Sequence, residues 1–113
     1  MARSLRIQYP PGTRLHVFAR GNARQNIFHN EADYRLFLDF LTTVKKQSRF
    51  RLYSYCLMPN HFHLLVELGL IPLSDFMKRL MVRYAWHYNF RRDRVGHVFQ
   101  DRFSSIPCPL ASS

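Results

Sequence analysis

Apolar and polar positions recur along this chain with two different periods, and the changes of period mark its elements. The apolar-rich stretch from Leu15 to Arg20 reads as a short strand that stops at the turn-like Gly21-Asn22-Ala23. After a loop, Asn30 is placed to cap a helix with Asp33 at its third position. Tyr34, Phe37, Leu38, Leu41 and Val44 then recur every three or four residues, and the helix ends near Gln47. Between Phe50 and Met58, the residues Leu52, Ser54, Cys56 and Met58 alternate with Arg51, Tyr53, Tyr55 and Leu57, a period of two that predicts a strand. Pro59-Asn60 turns the chain into a second strand, His61 to Leu68. A loop from Gly69 to Pro72 leads to a long helix capped by Ser74, with Leu73, Met77, Leu80, Tyr84 and Tyr88 on one stripe as far as Arg92. A polar turn, Arg91 to Gly96, precedes a last strand over Val95 to Phe103. The order β-α-β-β-α-β predicts an α+β, ferredoxin-like domain: a four-stranded antiparallel sheet with two helices on one face and the other face open. Residues 1–103 make up that domain, and 104–113, with Pro107, Pro109 and a Ser-Ser end, are expected to be a flexible tail.

Composition narrows the functional classes. Ten Phe, six Tyr and one Trp in 113 residues supply enough apolar area for a packed core, which excludes wholesale disorder. The richest apolar run, Leu64 to Leu70, is broken by Glu67 and Gly69 and falls short of the roughly 18–20 residues that span a bilayer, so no membrane is expected. The opening Met-Ala-Arg-Ser-Leu-Arg is not followed by the hydrophobic segment of a secretory signal, and the expected location is cytoplasmic, associated with the nucleoid. Cys56, in a strand expected to be buried, and Cys108, in the tail, read as free thiols in that reducing setting. Seventeen Lys and Arg against seven Asp and Glu leave a net charge of +10, and fourteen of those cations are Arg, whose planar fork suits phosphate. Nucleic acid is the expected partner.

The strongest local chemistry is Met58-Pro59-Asn60-His61-Phe62-His63-Leu64-Leu65-Val66-Glu67. Residues two apart on a strand share a face, so His61 and His63 point together to the open side while Phe62, Leu64 and Val66 face the helices. Neutral imidazoles side by side are within reach of one divalent metal, which would still need an oxygen ligand or waters. Glu67 shares their parity but lies about 13 Å along the strand from His63, too far to join them. His16 and His97 are weaker candidates for a third ligand. For DNA contact, Arg79 and Arg83 stand one helical turn apart, Arg91, Arg92 and Arg94 form a basic turn with few acids nearby, and Arg20 and Arg24 bracket the first turn. Trp86 and His87 are placed to stack on a base or to pack against a partner.

Several segments together resemble a known family. They are His16-Val17, Arg20-Gly21-Asn22 with Arg24, Asp33, Phe37-Leu38, Leu57 to Leu65, and Gly96-His97-Val98-Phe99-Gln100-Asp101-Arg102-Phe103. In order and spacing they resemble the single-tyrosine HUH transposases, closest to the branch of the REP-associated tyrosine transposases. The resemblance implies a ferredoxin-like domain that binds hairpin-forming single-stranded DNA and cuts one strand. It further implies a divalent metal, Mg²⁺ or Mn²⁺, held by His61 and His63, and a tyrosine nucleophile left joined to the 5′-phosphate. It also implies that two copies can form a homodimer. In that family the nucleophile lies on a further helix after the Phe103 segment, and the ten residues Ser104 to Ser113 contain no tyrosine, so the nucleophile is expected to be missing from this chain. Among the internal tyrosines, Tyr53 and Tyr55 share a strand face and are weak substitutes. Tyr84 and Tyr88 are weak candidates too, and their helical stripe reads first as core. The alternative is a non-catalytic single-stranded nucleic-acid-binding module or an inactive transposase relic.

Overall fold

The structure, a computed structural model, describes residues 8–108. Its elements are β1 (Arg14–Arg20), α1 (Glu31–Ser48), β2 (Arg51–Met58), β3 (His61–Glu67), α2 (Leu73–Arg91) and β4 (Ser104–Pro107), with one turn of 3₁₀ helix at Asn22–Arg24. The sheet order is β2-β3-β1-β4 and every neighbouring pair is antiparallel, the expected ferredoxin-like arrangement. Leu15, Val17 and Ala19 of β1 and Phe62, Leu64 and Val66 of β3 are buried, and the alternate residues of both strands are not. Against that apolar face pack Phe37, Leu41 and Val44 from α1 and Phe76, Met77, Leu80, Tyr84 and Tyr88 from α2. The opposite face of the sheet carries no helix among the described residues, which leaves the side chains of His16, His61 and His63 accessible.

Helix starts follow local chemistry. The Asn30 side chain accepts the Asp33 N–H at 3.0 Å, and the Asp33 carboxylate accepts the N–H of His29, just before the cap, at 2.8 Å, so side chains satisfy amides on both sides of the start of α1. Ser74 does not cap α2, contrary to expectation. Pro72 occupies the cap position with φ −61° and its carbonyl accepts the Asp75 N–H at 3.1 Å, so the helix begins at Leu73 and Ser74 falls inside its first turn.

Three further expectations are corrected. The register of β2 on β3 shifts between Leu52 and Ser54, where β2 carries an extra residue. That bulge breaks the period of two: Tyr55 stands opposite the core residue Leu64, whereas Tyr53 bonds to Glu67, so the two tyrosines do not share a face. Cys56 is exposed rather than buried, because the register sets it opposite His63 on the open face of an edge strand. The last strand is not Val95 to Phe103. That stretch is a loop with a single bridge between Phe99 and Gly21, held by Asn22 N–H to the Val98 carbonyl at 2.8 Å and Gln100 N–H to the Arg20 carbonyl at 2.9 Å. Past Arg20 the partner chain has already turned, so no ladder can extend. The strand β4 forms instead at Ser104–Pro107, inside the expected tail, and pairs with β1. Residues 109–113 of that tail lie outside the described residues.

Candidate metal and phosphate site

On the open face, β3 holds His61 and His63 with ring centroids 5.0 Å apart and planes nearly perpendicular. Each ring is tied through Nδ1. The His61 Nδ1–H donates to the Asn60 side-chain oxygen at 2.7 Å, and His63 Nδ1 is 2.8 Å from His16 Nε2, the two rings lying stacked with centroids 4.9 Å apart. When the His63 Nδ1–H is the donor in that pair, both histidines turn an Nε2 lone pair outward, the tautomer a metal ligand needs. Burial holds His63 below the ordinary imidazole value, with His16 and His61 adding to the shift, so the ring is neutral around pH 7. This donor set fits a hard or borderline divalent cation through two nitrogens, with the remaining positions open to water or phosphate oxygen. Among the described residues no third His, Cys, Asp or Glu joins them. His16 acts on the far side of His63, as an orienting partner. His97 is exposed in the loop after α2, and Glu67 is engaged by Arg14 at 3.1 Å and by the Tyr53 hydroxyl at 2.7 Å.

Beside the pair is an open pocket of about 370 Å³, lined by His61, His63, Asn60, Phe18, Arg20 and Arg24. Arg20 reaches it because β1 pairs with β3 in a register that sets Arg20 opposite His61. Arg24 reaches it from the 3₁₀ turn, where Ala23 and Arg24 both adopt left-handed φ values of +52° and +60°. Such backbone costs roughly 1 kcal/mol or more per non-glycine residue, and here the turn is held by Arg24 N–H to the Gly21 carbonyl at 3.1 Å and Gln25 N–H to Asn22 at 3.0 Å. Two guanidinium groups beside two imidazoles have the charge and donor geometry that suit an anionic oxygen ligand.

The other expected cations divide differently. Arg91 and Arg92 are not unpaired: Asp33, 1% exposed, holds Arg91 at 3.2 Å and Arg92 at 2.5 Å. The acid that sequence spacing hides is brought to them by the packing of α1 on α2. Arg94 donates to Asn89 at 2.8 Å and lies with Arg92 against the Tyr88 ring. Arg79 is bonded to Gln47, Ser48 and Asp75, whereas Arg83 is exposed over the Phe40 ring. None of these lines the histidine pocket.

No tyrosine lines it either. Tyr84 is buried, donates to the Ile27 carbonyl, and has its hydroxyl pushed far above the ordinary phenol value by that burial. Tyr88 donates to the Asn26 carbonyl at 2.9 Å and sits 2.7 Å from His29 Nε2. Sequence reasoning missed the roles of Asn60 and His16. The signal for His16 was its parity on β1, opposite to Leu15, Val17 and Ala19.

A sequence profile for IS200-like transposases matches residues 11–112. No curated protein matches the sequence. Among solved structures, the chain is similar to a REP-associated tyrosine transposase bound to a REP hairpin, with TM-score 0.65 and 16% identity over 98% of this chain; it spans 64% of that protein's length, just under two thirds. It is similar as well to a candidate transposase from Deinococcus radiodurans R1, with TM-score 0.67 and 17% identity over 94% of this chain and 83% of the other. At such identities the two structures speak for the fold, and the profile, covering most of the sequence, speaks for descent: the chain belongs to the IS200-like transposase family.

Proposed function

We propose that the open face of this domain is the metal-and-phosphate half of a transposase site that acts on hairpin-bearing single-stranded DNA. The observation that carries this reading is the single pocket shared by His61, His63, Arg20 and Arg24. The REP-hairpin complex of the structural relative supports the same class of partner. In this reading Arg20 and Arg24 grip the non-bridging oxygens of the scissile phosphate, and Asn60 and His16 fix the rings of His61 and His63. His61 and His63 would hold a Mg²⁺ or Mn²⁺, which would neutralise charge developing on the phosphate. The attacking phenol gives up its proton to water and forms the bond to phosphorus as the bond to the 3′ oxygen breaks, and that leaving oxygen takes up a proton from water to become the 3′ hydroxyl.

Because no tyrosine lines the pocket among the described residues, that phenol comes from outside it. The same observation favours a second reading, a module that binds single-stranded DNA without cutting it. The test mixes the protein with labelled hairpin DNA and Mn²⁺, alone and with a family member that keeps its tyrosine but lacks its histidine pair. Bound Mn²⁺ that is lost in His63→Ala, and a covalent DNA adduct that forms only in the mixture, are the expected results. DNA binding indifferent to chelator, with no Mn²⁺ bound and no adduct in the mixture, establishes the module instead.

A further inference from the structure

The side of α2 turned away from the sheet is apolar where it has no neighbour. Val82, Trp86 and Phe90 follow at intervals of four, forming one stripe, and are 59%, 59% and 71% exposed. The Trp86 and Phe90 rings lie almost parallel, 6° apart, with centroids at 5.2 Å, and His87 meets Trp86 edge-on. Toward its N-terminal end the stripe runs into a groove of about 520 Å³ between α1 and α2, lined by Val44, Gln47, Lys78, Arg79, Val82 and Arg83. The acid in that groove, Asp75, is paired with Arg79 at 3.4 Å. Lys78 and Arg83 have no ion pair among the described residues.

An exposed aromatic pair calls for a partner, and the charge beside it selects one. A second copy of this chain would bring two cationic grooves together, whereas a polyanion complements them. We propose that this helix face is a second nucleic-acid surface, where unpaired bases stack on Trp86 and Phe90 while Lys78 and Arg83 hold the adjoining phosphates. It lies across the sheet from His61 and His63, so it grips DNA away from the cut phosphate. The inference rests on the reading of the chain as DNA-handling but not on the metal site.

Trp86 is the chain's only tryptophan, so its emission reports on this face alone. The full chain is titrated, in chelator, with a short oligothymidine, with a hairpin carrying an unpaired loop, and with a blunt duplex. Saturable quenching by the first two and much less by the duplex is expected. Phe90→Ala is expected to weaken oligothymidine binding roughly five-fold or more. DNA bound with Trp86 emission unaltered overturns this inference and leaves the proposed function standing. A blue shift that follows protein concentration without DNA, matched by a dimer in sedimentation equilibrium, also overturns it and assigns the stripe to a second copy. A chain that binds none of the three DNAs overturns both readings.

Discussion

Two residues do disproportionate work, one in holding the pocket and one in tying α1 to the end of α2. Gly21 sits where the end of β1, the 3₁₀ turn and the Phe99 loop meet, its N–H donating to the Asn60 carbonyl at 2.8 Å. A Cβ there would stand 2.1 Å from the backbone oxygen of Gln25, which cannot swing aside as a side chain does. Gly21→Ala is therefore expected to cost about 1–3 kcal/mol in urea unfolding and to displace Arg24 from the pocket, weakening DNA binding beyond the stability loss. Asp33 is the second. It accepts the His29 N–H and pairs with both Arg91 and Arg92 while almost wholly buried. Asp33→Asn keeps the shape and removes the charge, leaving two cations without their counterion. Because those guanidinium groups are partly exposed, the expected loss is about 2–3 kcal/mol rather than the full penalty of a deeply buried pair. A midpoint unchanged from the parent in denaturant unfolding would show that the pairing is incidental.

At the level of elements, β1, α1, β3 and α2 were legible because each buries one face at a regular period. Leu15, Val17 and Ala19 alternate, and Leu73, Met77, Leu80, Tyr84 and Tyr88 follow a helical stripe, all of them buried. The misread elements lack that regularity. In β2 the bulge after Leu52 changes which residues face the open side, and nothing in Arg51 to Met58 announces an extra residue. The last strand was misplaced because Val98 and Phe99 look like strand residues, yet they are buried as a plug from a loop, and Ser104–Pro107 forms a ladder despite a weak local preference because β1 offers it an edge. In the site, His61 and His63 could be read from spacing, whereas the roles of His16 there and of Asp33 between the helices depend on contacts between residues 47 and 59 positions apart. The strand order carries a consequence for stability. The four-residue β4 pairs on one side only, whereas β1 and β3 are paired on both. Amide hydrogen exchange is expected to be fastest in β4 and slowest in β1 and β3. Exchange of β4 as slow as that of β3 would mean that its outer edge is covered in solution.

For the molecule as a whole, the surplus of positive charge is not all available to DNA. Of the 17 cations, Arg14, Arg35, Arg79, Arg91 and Arg92 are held by Glu67, Glu31, Asp75 and Asp33, so they release few counterions when a strand binds. Arg20 and Arg24 at the histidine pocket have no such partner among the described residues. The slope of log affinity against log salt separates the two kinds. Each phosphate contact on single-stranded DNA contributes about 0.7 to that slope, so Arg20→Ala and Arg24→Ala are each expected to flatten it by about that amount and to leave thermal unfolding nearly unchanged. Arg91→Ala is expected to do the reverse, lowering the unfolding midpoint because Asp33 loses one of its two cations, with little effect on the slope. If Arg91→Ala flattens the slope as much as Arg24→Ala does while the fold stays as stable, the Asp33 pairing gives way to phosphate, and the DNA path runs past the end of α2 as well as through the pocket.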